Sequence, residues 1–126
     1  MEHVDRRVDV GRKGEALAEA YLAARGYRLL ERRFRLRNGE IDLVMEDGAT
    51  VVFVEVRRRR SPWMGDPLES VHALKRSRII RAARLFLNVR RLHARPCRFD
   101  VVAVRDGPGG TSIDHRIDAF RADGPG

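Results

Sequence analysis

The chain has one cysteine, Cys97, and one tryptophan, Trp63. A lone cysteine excludes an intramolecular disulfide and a cysteine-built zinc site, and the neighbours of Cys97 predict a half-buried thiol without a role. Lysine is nearly missing as well: Lys13 and Lys75 are the only two among 26 basic residues, the others being arginine. No apolar run approaches the length of a bilayer span, and the opening MEHVDRRVDV has no apolar signal-peptide core. No membrane-embedded segment is expected, and a cytoplasmic location follows by default. His3, His72, His93 and His115 show no metal-ligand spacing and read as surface or edge residues.

The remaining composition is that of a folded, strongly basic chain. At 126 residues and 43% hydrophobic content it predicts one domain with a single core over about residues 10–120 and loose termini. Charged residues make up 35%, and the net charge is +8. Such a surplus points to an anionic partner, nucleic acid before an acidic membrane surface. Arginine forks suit phosphate, although a merely solvated basic surface gives the same totals.

Hydrophobic periodicity supplies the elements. Ala16, Leu17, Ala20, Tyr21 and Ala24 recur at the spacing of one helix face, predicting a helix from about Val10 to Arg25, with Asp9 as its N-cap and Gly26 as its stop. Strands are expected over Tyr27–Leu36, Glu40–Met45 and Thr50–Arg57, with turns at Asn38-Gly39 and Asp47-Gly48. RRRSPWMGD reads as a loop. Asp66-Pro67-Leu68-Glu69 then has the residues of a helix start, for a helix reaching about Val89. Arg98–Val104 and Ser112–Asp118 close the chain as strands. The order α-β-β-β-α-β-β predicts a mixed α/β sheet flanked by helices.

The segment GEIDLVMEDGATVVFVEVRRRR sets carboxylates inside apolar runs, where an unpartnered charge is costly. A two-residue turn at Asp47-Gly48 sets Glu40 opposite Glu55 and Asp42 opposite Phe53. Glu40, Asp42, Glu55 and Arg57 then share one sheet face, with Asp42 and Glu55 as diagonal neighbours about 7–8 Å apart. Their mutual repulsion needs relief. A divalent ion such as magnesium, which keeps several waters of its own, would provide it. Salt bridges from Arg57 or from the arginines between Arg32 and Arg37 would serve as well, and the residues alone leave both readings open.

GEIDLV followed by VFVEVR resembles the D…ExK core of restriction-endonuclease-like nucleases. The chain as a whole is similar to the YraN-like family of small bacterial proteins with that fold. GRKGEALAEAYLAARGYRLL resembles the family's first helix, GDPLESVHALKRSRIIRAARLFL its second, and RFDVVAV with IDHRIDAF its closing strands, over roughly residues 10–120. The resemblance implies Asp42 and Glu55 as ligands of Mg2+ or Mn2+, and Glu15 as a third acid beside the site, as in junction-resolving relatives. Arg57 stands where the family of nucleases usually has lysine. Arginine cannot act as a base, but it can hold a water or stabilise transition-state charge.

Other residues have a plainer reading beside the functional one. Glu15 also suits a helix start, Glu40 a bridge to arginine, and Asp100 a structural hydrogen bond. Lys75 lies on the apolar side of the second helix, where it can snorkel past the core edge or meet a phosphate. Arg76, Arg78, Arg81 and Arg84 around it form a solvated face with some phosphate affinity. Arg58 and Arg60, leading from the acidic strand into the Trp63 loop, are expected to hold a nucleic-acid backbone, while Trp63 either stacks on a base or packs down on the domain. The expected function is metal-dependent hydrolysis of phosphodiester bonds in DNA, branched or damaged DNA included. The alternatives are a nucleic-acid-binding module of the same fold without efficient chemistry and a protein-interaction subunit. Junction-cutting relatives are often dimers, so the resemblance also allows a homodimer.

Overall fold

Three of the strands contain unbroken runs of buried apolar residues, Leu43–Met45, Val51–Val54 and Val101–Val104, and such continuity requires cover on both faces of the sheet. The computed structural model, which describes residues 6–37, 39–59 and 73–122, provides that cover with one helix per face. Its elements are α1 (Arg6–Ala24), β1 (Arg28–Leu36), β2 (Gly39–Asp47), β3 (Thr50–Arg59), α2 (Ala73–Val89), β4 (Cys97–Gly107) and β5 (Gly110–Phe120). The sheet runs β1-β2-β3-β4-β5, antiparallel except for the parallel pair β3/β4. Parallel pairing needs a crossover, and the segment containing α2 makes it. The α/β class and element order are those expected, and a mixed sheet between two helices is consistent with a nuclease-like fold.

The core has two halves. On the α1 side, Ala18 and Leu22 pack on Leu43, Met45, Val52, Val54 and Val102. On the α2 side, Ile79, Ala82, Ala83 and Phe86 pack on Ile41, Val44, Val51, Phe53, Phe99, Val101 and Phe120. All five phenylalanines join in one run of ring contacts there: Phe34–Phe86, Phe86–Phe53, Phe53–Phe99 and Phe99–Phe120, with centroids 4.9–5.9 Å apart. These are favourable aromatic separations, and they tie β1, β3, β4 and β5 to α2.

Several expectations are corrected. Helix α1 begins at Arg6, so Asp9 lies inside it and is not its N-cap. Its buried face is Gly14, Ala18 and Leu22, not the expected stripe: Ala16, Leu17, Ala20 and Ala24 are exposed, and Tyr21 sits at the margin. Alanines occur on every side of this helix, so its apolar pattern selects no face. The fit to the sheet selects it, with Gly14 lying directly over the Arg58 stem and Val56. Gly26 does end the helix. At φ +93° its N–H donates to the Ala23 carbonyl, while Tyr27 N–H reaches the Leu22 carbonyl, the two bonds of a Schellman cap. Cys97 is exposed rather than half-buried. The 58–66 loop beyond Arg59, the helix start at Asp66–Glu69, and Asn38, Arg60, Trp63, His3 and His72 lie outside the described residues; the second helix ends at Val89 as expected.

Asp100 is fully buried and holds the far side of the sheet together. Its carboxylate accepts from Arg98 Nε (2.9 Å) and Nη2 (3.1 Å), from His115 Nε2 (2.7 Å) and from the Asp118 N–H (3.0 Å). Arg98 Nη2 also donates to Tyr27 Oη at 2.6 Å. The Asp118 contact fills a bulge in β5, where the ladder to β4 shifts register between Phe99 and Val101. His115, expected at the surface, has only 5% of its side chain exposed and meets the rings of Tyr21 and Tyr27 edge-on. Burial raises the Asp100 pKa, but the bonds from His115, Arg98 and Asp118 outweigh it and hold the carboxyl below the usual carboxylate range.

A depressed folded-state pKa contributes stability that is present above the unfolded value and lost as pH falls through the folded one. Replacing Asp100 by Ala also strands the Arg98 charge, and the expected cost is on the order of 3 kcal/mol. Urea unfolding at neutral pH checks the magnitude. The same measurement below about pH 4, where the unfolded chain's carboxyl takes up its proton before the folded one does, is expected to show the difference between wild type and variant narrowing.

Candidate functional site

The acidic hairpin turns one residue later than expected. Asp47 pairs with Thr50, Glu46 with Val51, Val44 with Phe53 and Leu43 with Val54, so Gly48 and Ala49 form the turn, with Gly48 at φ +58°. Moving the turn by one residue changes the pairing by two, and the side-chain parity survives. Continuing this register sets Asp42 opposite Glu55, nearer than the diagonal pairing expected.

The regular ladder stops just before those two residues. In β1, Arg33 adopts φ 51°, and pairing passes from Arg32↔Leu43 to Phe34↔Ile41 without an Arg33–Asp42 pair. At the same level β2 rotates: Ile41 and Val44 belong to the α2 side of the core, Leu43 and Met45 to the α1 side. A regular strand keeps residues 41 and 43 on one face, so the rotation is centred on Asp42. Freed from the ladder, the Asp42 Oδ2 accepts from the Val56 N–H at 2.7 Å. The strand end is thus tied to β3 by a side chain instead of a carbonyl.

Glu55 faces α2 and is 7% exposed. Its Oε1 is paired with Lys75 Nζ, which heads the buried stripe of α2 four residues before Ile79. The other oxygens, Asp42 Oδ1 and Glu55 Oε2, take part in none of these bonds to described residues. A cleft of about 1020 Å³ opens here between α2 and the ends of β1, β2 and β3. Asp42, Glu55, Glu40, Lys75, Arg35 and Arg78 are among its walls. Burial, and then the negative charge of Glu55, push the Asp42 carboxyl up to about 8; Glu15 adds to the rise, while the Val56 N–H and Lys75 oppose it.

The sequence-predicted residues divide into two sets. Glu40, Asp42, Glu55 and Lys75 border the cleft together. Glu40 pairs with Arg35 at 3.2 Å, the bridge expected of it. Glu15 is bound to Arg33 at 2.8 Å and reaches Asp42 only through its field. Arg57 is half-buried, two residues past Glu55, and is not among the described residues lining the cleft. Arg58 lies against Gly14 under α1, on the opposite face of the sheet, with Asp106 Oδ2 at 2.8 Å from its Nε. The Val56 N–H was not foreseeable, because a backbone donor carries no residue-type signal.

Among the described residues no group of three or more His, Cys, Asp or Glu side chains is gathered to hold a metal. The pair Asp42 and Glu55 offers two oxygen donors of like charge, one of them strained toward neutrality by the other. A hard cation that retains several waters fits such a pair.

A family model described as "Uncharacterised protein family UPF0102" matches residues 14–104, from Gly14 in α1 to Val104 within β4. The chain is 48% identical over 120 residues to a UPF0102 protein of Anaeromyxobacter dehalogenans, covering 95% of this chain and 90% of that one. It is 50% identical over 115 residues to a UPF0102 protein of Ectopseudomonas mendocina, covering 90% and 96%. A UPF0102 protein of Pseudomonas aeruginosa is also 50% identical, over 117 residues, covering 90% and 94%.

A carboxyl raised to about 8 must lose its proton before it can ligate a cation, so metal affinity is expected to climb with pH through that value. Mn2+ should therefore raise the unfolding temperature more at about pH 8.5 than at about pH 6.5, and should do so far less in Asp42→Ala. The metal-free protein follows the opposite sign. The raised pKa contributes stability below the unfolded value of 3.8 that is lost as pH rises through about 8. Asp42→Asn is expected to flatten that decline in a thermal-unfolding pH series.

Proposed function

The chain belongs to the UPF0102 family, and from that premise we propose that it hydrolyses phosphodiester bonds in DNA, branched or damaged DNA included, with Mg2+ or Mn2+ as cofactor. The observation that carries the reading is the meeting of Asp42 and Glu55 in a basic-rimmed cleft, with one carboxyl held up to about 8 by burial and by the other's charge. Structural carboxylates are ordinarily paired until they ionise easily, as Asp100 is. Asp42 is kept in the opposite condition, and strongly perturbed groups in clefts mark functional sites.

Asp42 and Glu55 would hold the cation, whose chemistry when bound is to polarise the phosphodiester and make water a better nucleophile. Water oxygen forms the new bond to phosphorus, the bond to the sugar oxygen breaks, and that oxygen leaves with a proton. Lys75 supplies the ammonium that the strand itself lacks at position 57. From α2 it already touches Glu55, and it can donate to a non-bridging phosphate oxygen as negative charge builds there. Arg57, fixed as a cation, assists with charge and not as a base. Glu15 keeps Arg33 in place and with it the break in β1 that releases Asp42.

Linear, nicked and four-way-branched DNA incubated with Mg2+, Mn2+ or chelator test the reading. Metal-dependent cleavage is expected, falling to background in Asp42→Ala and in Glu55→Ala. Lys75→Ala is expected to slow it about 10²–10³-fold, the usual effect of deleting one preorganised donor to the transition state. Arg57→Lys is expected to speed it. Binding without cleavage by any variant would replace the enzyme by a nucleic-acid-binding module of the same fold.

A further inference from the structure

Many arginines whose side chains are described are neutralised where they stand. Arg28 and Arg95 pair with Glu46, Arg32 with Glu19, Arg105 with Asp114, and Arg121 with Asp118. Helix α2 gathers arginines of the other kind. It carries no acidic residue, and Arg76, Arg78, Arg81 and Arg84 form no ion pair or hydrogen bond with any described residue. The net charge of +8 is therefore not spread evenly; much of the surplus is gathered on one helix, the one that delivers Lys75 to the acidic cleft.

Arg78 lines the acidic cleft on one flank of α2. On the other flank a second groove of about 580 Å³ runs between α2 and the end of β5. Ile80 and Phe120 lie in its lining, and Arg76, Arg81, Arg84 and Arg121 supply its charge. Arg81 also borders a small hollow beside Arg37 and Arg78 on the first flank, so it stands at the crest between the two. From Arg76 to Arg84 the helix rises about 12 Å. Measured along a duplex axis, at about 3.4 Å per phosphate of one strand, that span covers three to four phosphates.

We infer that this second groove is a binding site for a nucleic-acid backbone: the DNA that enters the acidic cleft crosses α2, and Arg76, Arg81 and Arg84 hold its phosphates while Ile80 meets a sugar face. The inference rests on the nuclease reading for what lies in the cleft. Its distinct content is the path of the backbone, on α2 and its β5 flank instead of along the Arg58 side of the sheet. Arginines that meet no acid among the described residues can replace the counterions of a polyanion, which is the chief source of backbone affinity.

Anisotropy of a labelled DNA duplex, measured in chelator with Asp42→Asn so that no cleavage intervenes, tests the path. The slope of log affinity against log salt is expected to fall in magnitude by about 2 in Arg76→Ala/Arg84→Ala, close to 0.9 for each phosphate no longer neutralised. Affinity at moderate salt should drop about tenfold or more. Arg32→Ala, on the α1 side and paired with Glu19, should leave both quantities unchanged. The single charge reversals Arg81→Glu and Arg84→Glu, at exposed helix positions, each change the charge by as much as the double variant, are expected to weaken binding likewise, and carry the test if the double variant fails to fold. An unchanged slope and affinity in these variants would overturn the inference, as would absence of duplex binding at low salt, which would leave an acidic protein as the partner of α2. Binding that depends on these arginines in a chain that never cleaves would remove only the nuclease reading. Cleavage that is indifferent to them would remove only the groove.

Discussion

One hydrogen bond, from the Val56 N–H to the Asp42 carboxylate, sets the terms on which the acidic end of the sheet exists. It occupies the point where β2 leaves its ladder with β3 and rotates its side chains from one face to the other. Without a substitute acceptor the buried amide would be orphaned, at a cost of the order of 1–3 kcal/mol. By accepting it, Asp42 allows the two strands to part with the amide still satisfied, and the parting opens the cleft. The same bond lowers the carboxyl's pKa, while burial and Glu55 raise it and prevail. Asp42 thus closes the backbone and faces the solvent cleft at once.

The two faces of the sheet hold their charges differently. On the α1 side and around β4 and β5, acids and bases meet in pairs: Glu15 with Arg33, Arg58 with Asp106, Arg98 with Asp100. Toward α2, the Arg35–Glu40 pair apart, the signs are sorted, with carboxylates on the strand ends and, on the helix, arginines that pair with no described residue. Among the described residues of that helix, Lys75 joins them through Glu55. Sorted charge in a cleft with low-dielectric walls projects a field into solvent, whereas paired charge largely cancels its own.

Much of the fold was legible in the sequence because both-face burial leaves a plain trace. Val51–Val54 and Val101–Val104 are continuous apolar runs and could only be inner strands. The convergence of Asp42 and Glu55 was legible for a subtler reason: the turn falls one residue beyond its Asp-Gly signal, but that displacement shifts pairing by an even number and keeps the faces. Where the signal was weak, physical competition outside the sequence window decided. Alanine on all sides of α1 left its buried face to the fit against β3. His115 alternates among polar residues in an outer strand, and only the β5 bulge, which brings Asp100 to its ring, makes it a buried residue. The expected third acid, Glu15, is near the site in space but engaged by an arginine whose own unusual φ no residue pattern announces.

That φ has a counterpart at the opposite border. Arg33 in β1 and Asp118 in β5 are the two described strand residues with left-handed backbone outside glycine, and each lies beside or within a register irregularity of an outermost strand. An incoming chain seeking to extend the sheet would find its row of donors and acceptors interrupted on either side. The borders of a twisted sheet are its exposed templates for unwanted association. Here the kink that frees Asp42 on one border, and the one that closes over Asp100 on the other, also limit how far the sheet can grow.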